Sequence, residues 1–212
     1  MKNTTLSKKF YNNGLNYYEA IKILKTQILY SRDSFVIYPL LYLERHIVEL
    51  FLKSLIIYSS SKCDVNNKIL IEWNNQTFDI SKTHSLKILL EKFIEIQTST
   101  RLIPIYDDKI EEINRIIISF DQIDKTGEYY RYPISKSGQI SKFKLFKTLD
   151  DVPKFKSNMN NYWIFDFREG ANKEIRIVKL LDKKTLYFAN EVYEIIDYLK
   201  SLLDNIFINK LV

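Results

Sequence analysis

The chain has 212 residues, a formal charge of +6 from 32 Lys and Arg against 26 Asp and Glu, and only four Gly and four Pro. Its glycines stand alone, which excludes phosphate-cradling loops and dinucleotide fingerprints, and so few turn formers favour long helices over turn-rich β architectures. Its one cysteine, Cys63, excludes an intramolecular disulfide and a multi-thiolate zinc site, and the longest uncharged apolar stretch, Ser34 to Leu43, is far short of the roughly 18–20 residues of a membrane span.

From Tyr11 to Tyr30, Leu15, Tyr18, Ile21, Leu24 and Ile28 recur at helical spacing, with Asn12 or Asn13 as the expected cap. A second helix is expected from Ser34 to Ser60, with Val36, Ile37, Leu40, Leu41, Ile47, Val48, Phe51, Leu52, Leu55 and Ile56 on a broad apolar face. Pro39 falls in its first turns, or else marks a kink or the true start of the helix. Ile69 to Trp73 and Thr77 to Ile80, joined by Asn74, Asn75 and Gln76, read as a hairpin. Ser81 to Thr83 is expected to cap a third helix beginning near His84, which Pro104 closes off. A fourth helix runs from Asp107 to about Ile123. With six acids against two bases, the stretch Asp107 to Asp124 carries a local −4.

Asp124 to Gly127 is a turn signal, followed by short extended segments around Tyr130 to Ile134. Lys136 to Lys156 holds six Lys and two Asp, a local +4, with Phe143, Phe146 and Phe155 interleaved. Phosphate attraction with base stacking is one reading of that pattern, and a lysine-bearing edge strand with its phenylalanines turned inward is the other. Tyr162 to Phe167 and Glu174 to Leu180 read as strands, and Thr185 to Asn209 returns to helical spacing. The expected fold class is mainly α (α+β) in a single domain: a helical bundle over 1–124 with a hairpin near 69–80, short strands over 125–183, and a closing helix over 184–212. The expected setting is the cytoplasm.

Only two histidines, His46 and His84, can supply imidazole chemistry. On the second helix Arg45, Glu49 and Lys53 recur at i, i+4 and i+8, one polar stripe on an otherwise apolar helix. The stripe reads either as a solvated face laced by ion pairs or as a buried or cleft-lining seam in which Arg45 and Lys53 bind an anion and Glu49 orients them. His84 reads as a cap or packing residue, or as a side chain reaching across to a neighbouring helix. Asp121 and Asp124 form an acid pair or simply end their helix. No metal-ligand spacing or nucleophile elbow is present, so no metal or other cofactor is implied.

The order Arg45-His46-x-x-Glu49-Leu50-x-Leu52-Lys53-x-Leu55, then His84-Ser85-Leu86, then Asp121 to Asp124 with Tyr130-Arg131-Tyr132-Pro133, resembles uncharacterised bacterial proteins of the HEPN-like helical-bundle superfamily. The similarity covers roughly Phe35 to Pro133. It implies a mainly α bundle, homodimerisation, and a superfamily rich in metal-independent ribonucleases of toxin–antitoxin and phage-defence systems. The ribonuclease members use an Arg separated by four to six residues from a downstream His. Here Pro39 to Leu41 and Thr77 to Asp79 occupy those positions, so that pair is absent. The expected function is to act on or bind RNA or a nucleotide, with His46, His84 and Glu49 as candidate catalytic residues and Arg45, Lys53 and Arg131 as candidate binding residues. The alternative is a noncatalytic module that binds a partner protein; no membrane partner is expected.

Overall fold

The computed structural model describes residues 2–31, 34–60, 62–65, 69–73, 76–124, 162–169, 172–179 and 183–208. Five helices dominate: α1 (Lys2–Ser31), α2 (Ser34–Ser59), α3 (Leu86–Thr100), α4 (Asp107–Asp124) and α5 (Lys183–Phe207). Strands β1 (Lys62–Val65), β2 (Ile69–Trp73) and β3 (Gln76–Asp79) form an antiparallel sheet in chain order, and β4 (Tyr162–Glu169) pairs antiparallel with β5 (Asn172–Lys179). The fold is mainly α with small antiparallel β elements, as the sequence pattern predicts.

The central element is α2. Ile47, Val48, Phe51, Leu52, Leu55, Ile56 and Ile57 are fully buried, and α2 packs against α1, α3 and α5. A helix buried this completely is apolar nearly all round, so each polar residue on it needs a partner. Pro39 lies in its second turn on an exposed face, and the helix continues through it.

The first helix begins well before the expected caps: Asn12 and Asn13 are exposed residues inside α1. Its packing stripe also runs to smaller residues than the apolar pattern suggests. Ser7, Tyr11, Gly14, Tyr18, Ile21 and Lys25 alternate four- and three-residue steps and lie on one face. The Ser7 hydroxyl donates to the Ser54 carbonyl at 2.7 Å, and the Ser54 hydroxyl returns the bond to the Ser7 carbonyl at 2.8 Å. This reciprocal pair holds the α1 and α2 backbones close, and Gly14 makes room for the Phe51 ring beside it. On the other flank, Tyr11 donates to Asp204 and packs its ring 5.3 Å from that of Phe207, so α5 closes over α1. Tyr18 donates to Asp197 at 2.7 Å and stacks on Tyr193.

The sheet has one more strand than expected. β1 pairs β2 with Cys63 opposite Ile71, and β2 pairs β3 with Ile71 opposite Phe78 and Trp73 opposite Gln76. Ile71 and Ile80 are buried, so the sheet's inner side joins the core and fixes where the chain leaves toward α3. That helix starts two residues later than expected. Ser85, in extended conformation, accepts from the Ile88 amide at 3.4 Å and is the cap, which leaves Ser81 to Thr83 to the preceding turn and His84 just outside the helix. At the far end Arg101 takes the left-handed conformation (φ 50°) that closes a helix C-terminus, its amide bonding the Gln97 carbonyl at 2.8 Å. The α4 and α5 helices are tied by the Phe120–Phe188 rings, 5.1 Å apart, and by an exposed Arg115–Glu191 ion pair.

A Cβ added at Gly14 would lie 2.7 Å from Phe51 Cδ1, inside van der Waals contact. Alanine is the better helix former by roughly 1 kcal/mol, yet overpacking costs about 1–3 kcal/mol, so Gly14→Ala is expected to lower stability. Equilibrium urea unfolding checks this; a stabilised variant contradicts the close α1–α2 packing.

Candidate functional site

The turn after β3 sets the site. Ile80 donates its amide to the Ile69 carbonyl at 2.9 Å, extending the ladder by one residue. The Asp79 carboxylate accepts from the Ser81 amide at 3.1 Å and from its hydroxyl, while the Thr83 hydroxyl donates to the Asp79 carbonyl at 3.0 Å. This Asx-type turn, followed by the Ser85 cap, fixes both sides of His84 and delivers it to the flank of α2.

There it meets the polar stripe. Arg45, Glu49 and Lys53 are each only 3% exposed, so the stripe is interior and the solvated-face reading does not describe it. Glu49 is the hub: Lys53 Nζ donates to its Oε1 at 2.9 Å, Arg45 donates to its Oε2 at 3.4 Å, and His84 Nδ1 lies 3.0 Å from Oε1. Arg45 also donates to the His84 carbonyl at 2.7 Å. The same histidine is therefore held twice, by its ring through Glu49 and by its backbone through Arg45. Burial opposes ionisation of Glu49, but the adjacent Lys53, His84 and Arg45 outweigh it and hold the carboxyl below the usual range.

This arrangement revises the expected roles. The charged ends of Arg45 and Lys53 face Glu49 inside the protein, so neither is placed as an open anion-binding arm. His84 is different. Its side chain is 56% exposed although its partner is buried. An ionised carboxylate only accepts, so Nδ1 carries the proton toward Glu49, and in the neutral ring Nε2 is the acceptor. Lys82 and Lys87, both exposed, flank it in sequence and were not singled out by spacing alone.

His46 lies elsewhere. Its ring packs edge-on against Tyr17 of α1 at 4.9 Å and parallel to Tyr42 at 6.1 Å. Arg131 and the basic stretch from Lys136 to Lys156 lie outside the described residues, as do the side chains of Asp121 and Asp124. Among the described residues, no group of three or more His, Cys, Asp and Glu is placed to hold a metal ion. No helix among them is long and apolar enough to cross a membrane.

The chain matches no family model, no curated protein and no solved structure. The site therefore rests on its geometry.

A second polar seam went unsignalled in the sequence. Glu44, next to Arg45, is turned about 100° round the helix, and its strongest charged neighbour is Lys25 of α1. Nothing in a single sequence distinguishes Glu44 from Glu49 except the stripe that Glu49 completes.

Removing Glu49 leaves two buried cations without their shared carboxylate, so Glu49→Ala is expected to cost about 3–5 kcal/mol in urea unfolding. The pH dependence has a definite sign. The folded carboxyl ionises below its ordinary value of 4.5, so its contribution is present above that value and is lost as pH falls through the folded one. Wild type should lose stability on acidification below about pH 4.5 more steeply than Glu49→Gln. Parallel acid limbs contradict an ionised Glu49.

Proposed function

We propose that the chain acts on or binds RNA or a nucleotide, as a HEPN-like protein of bacterial phage defence or toxin–antitoxin systems, with His84 as general acid–base. The observation that carries this reading is the buried Glu49 carboxylate at 3.0 Å from Nδ1 of a histidine that is otherwise mostly exposed. A carboxylate behind an imidazole selects its tautomer, orients its plane and stabilises the imidazolium that forms when Nε2 takes a proton. A solvated surface histidine has none of these supports.

On an RNA strand, Nε2 of His84 would accept the 2′-hydroxyl proton as that oxygen attacks the adjacent phosphorus. The P–O bond to the 5′-oxygen breaks, the leaving oxygen takes up a proton, and a 2′,3′-cyclic phosphate and a 5′-hydroxyl result. The exposed Lys82 and Lys87 would attract the phosphate, a sequence-independent and salt-sensitive attraction. Glu49 and Arg45 act through His84 and touch no substrate. Lys53 keeps Glu49 ionised. His46, packed between tyrosines, has no part in this scheme.

The competing reading, a noncatalytic partner-binding module, is favoured by the α3–α4 connection, where Leu102 and Tyr106 are 57% and 72% exposed. The two readings separate on one assay. Purified wild-type chain is expected to cleave single-stranded RNA, and His84→Ala to lower the rate by about 10²–10⁴-fold, as for loss of a general acid–base group. Binding of a 2′-deoxy substrate should change little in that variant and should weaken steeply with salt in both proteins. Intact RNA with salt-sensitive binding supports the binding half of the proposal alone. Intact RNA with no binding contradicts it and favours the partner-binding module.

A further inference from the structure

The Glu44 side chain is the least accommodated polar group among the described residues. It is fully buried, and neither carboxyl oxygen has a hydrogen-bond partner. Glu44 sits on α2 at its junction with α1 and α5, two helices joined to each other by the Tyr18–Asp197 bond. The cation that acts on Glu44 is Lys25 of α1, yet Lys25 forms no ion pair with it. Its ammonium instead lies 3.8 Å over the ring of Tyr193 on α5, a cation–π contact. An ionised carboxylate buried without a donor costs many kcal/mol, whereas the neutral acid costs far less, so this packing suits only the protonated form.

We propose that Glu44 carries its proton in the packed fold, and that losing it draws Lys25 off Tyr193 and loosens the seam of α1 against α2 and α5. The proton leaves to solvent and no other bond changes. The device is a pH-sensitive latch in the helical bundle, separate from the His84 site: Arg45 faces that site, whereas its neighbour Glu44 faces α1.

Lys22 of α1 and Lys200 of α5 lie 5.4 and 5.7 Å from the Tyr18 ring, and the direction is set by the groups that act on Glu44 and Lys25. From α1, Lys25 favours ionisation of Glu44, and burial overrides it, pushing the Glu44 carboxyl well up. From α5, Asp197 and Glu194 act on Lys25 and favour its charged form, while burial lowers it. Tyr18 is held protonated by burial and by its bond to Asp197, and Tyr193 offers its ring face to Lys25 and its hydroxyl to Tyr18 at 3.1 Å. The carboxyl is raised in the folded state, so its stabilising contribution is full below the ordinary carboxylate range and is lost as pH rises through the folded value.

The test uses the full chain. Hydrogen–deuterium exchange across residues 11–25, corrected for the intrinsic pH dependence of exchange, is measured from pH 5 to 9 in wild type and in Glu44→Gln, which keeps shape without the charge. In wild type, opening of α1 should rise by up to about tenfold per pH unit, the limit for linkage to one proton, from above the ordinary carboxylate range up to the folded ionisation point of Glu44, and level off beyond it. Glu44→Gln should stay flat. Should that variant fail to fold, the wild-type Glu44 side-chain carboxyl carbon, followed by NMR, decides: a protonated signal at pH 6 that ionises together with α1 opening supports the latch. Parallel exchange in the two proteins, or an ionised Glu44 at pH 6 with α1 still packed, overturns it.

Discussion

One carboxylate organises this molecule's candidate chemistry. Glu49 lies inside a helix that is otherwise apolar, with Lys53 on one oxygen, Arg45 reaching the other, and the ring of His84 alongside. Taking these groups out of water is expensive, and apolar residues of similar size would often serve stability equally well. What the ion chain supplies is position. Arg45 reaches the backbone of His84 and Glu49 reaches its ring, so a residue on a turn is held at two points.

The surrounding fold makes that hold possible. The meander β1–β2–β3 buries Ile71 and Ile80 and aims the chain at α2, and the Asp79 turn with the Ser85 cap leaves His84 one residue of free path between them. Across α2, the Ser7–Ser54 exchange and the tyrosine–aspartate bonds to α5 fasten α1 in place. Two acids of α2, five residues apart, thus meet opposite fates. Glu49 has three partners and stays charged, whereas Glu44 has none and suits the packed fold only when neutral.

Much of the fold was legible because apolar periodicity reports burial directly. The spacing of α2, α3, α4 and α5 marked their extents to within a few residues, and the two C-terminal strands were visible as alternating runs. The missed features are those without an apolar signal. The start of α1 is polar and packs through Ser7 and Gly14, whose contribution is their small size rather than their hydropathy. The expected cap of α3 falls short because Ser81, Thr83 and Ser85 are equally good caps by type, and the local Asx-type turn that Asp79 makes with Ser81 and Thr83 takes the first two. For the site, helical spacing put Arg45, Glu49 and Lys53 on one stripe, but a stripe looks the same buried or solvated. Whether His84 reached it depended on the path of a sheet whose first strand gave no sequence signal.

The central claim is that buried Glu49 fixes the tautomer of an exposed histidine. Nitrogen-15 NMR of the imidazole of His84 at neutral pH tests it most directly. The account predicts that the neutral form of the ring carries its proton on Nδ1, with Nε2 bare, and that this form shifts toward the other tautomer in Glu49→Gln, where the amide can present a donor instead. A wild-type ring protonated on Nε2, or a tautomer unchanged by Glu49→Gln, would contradict it.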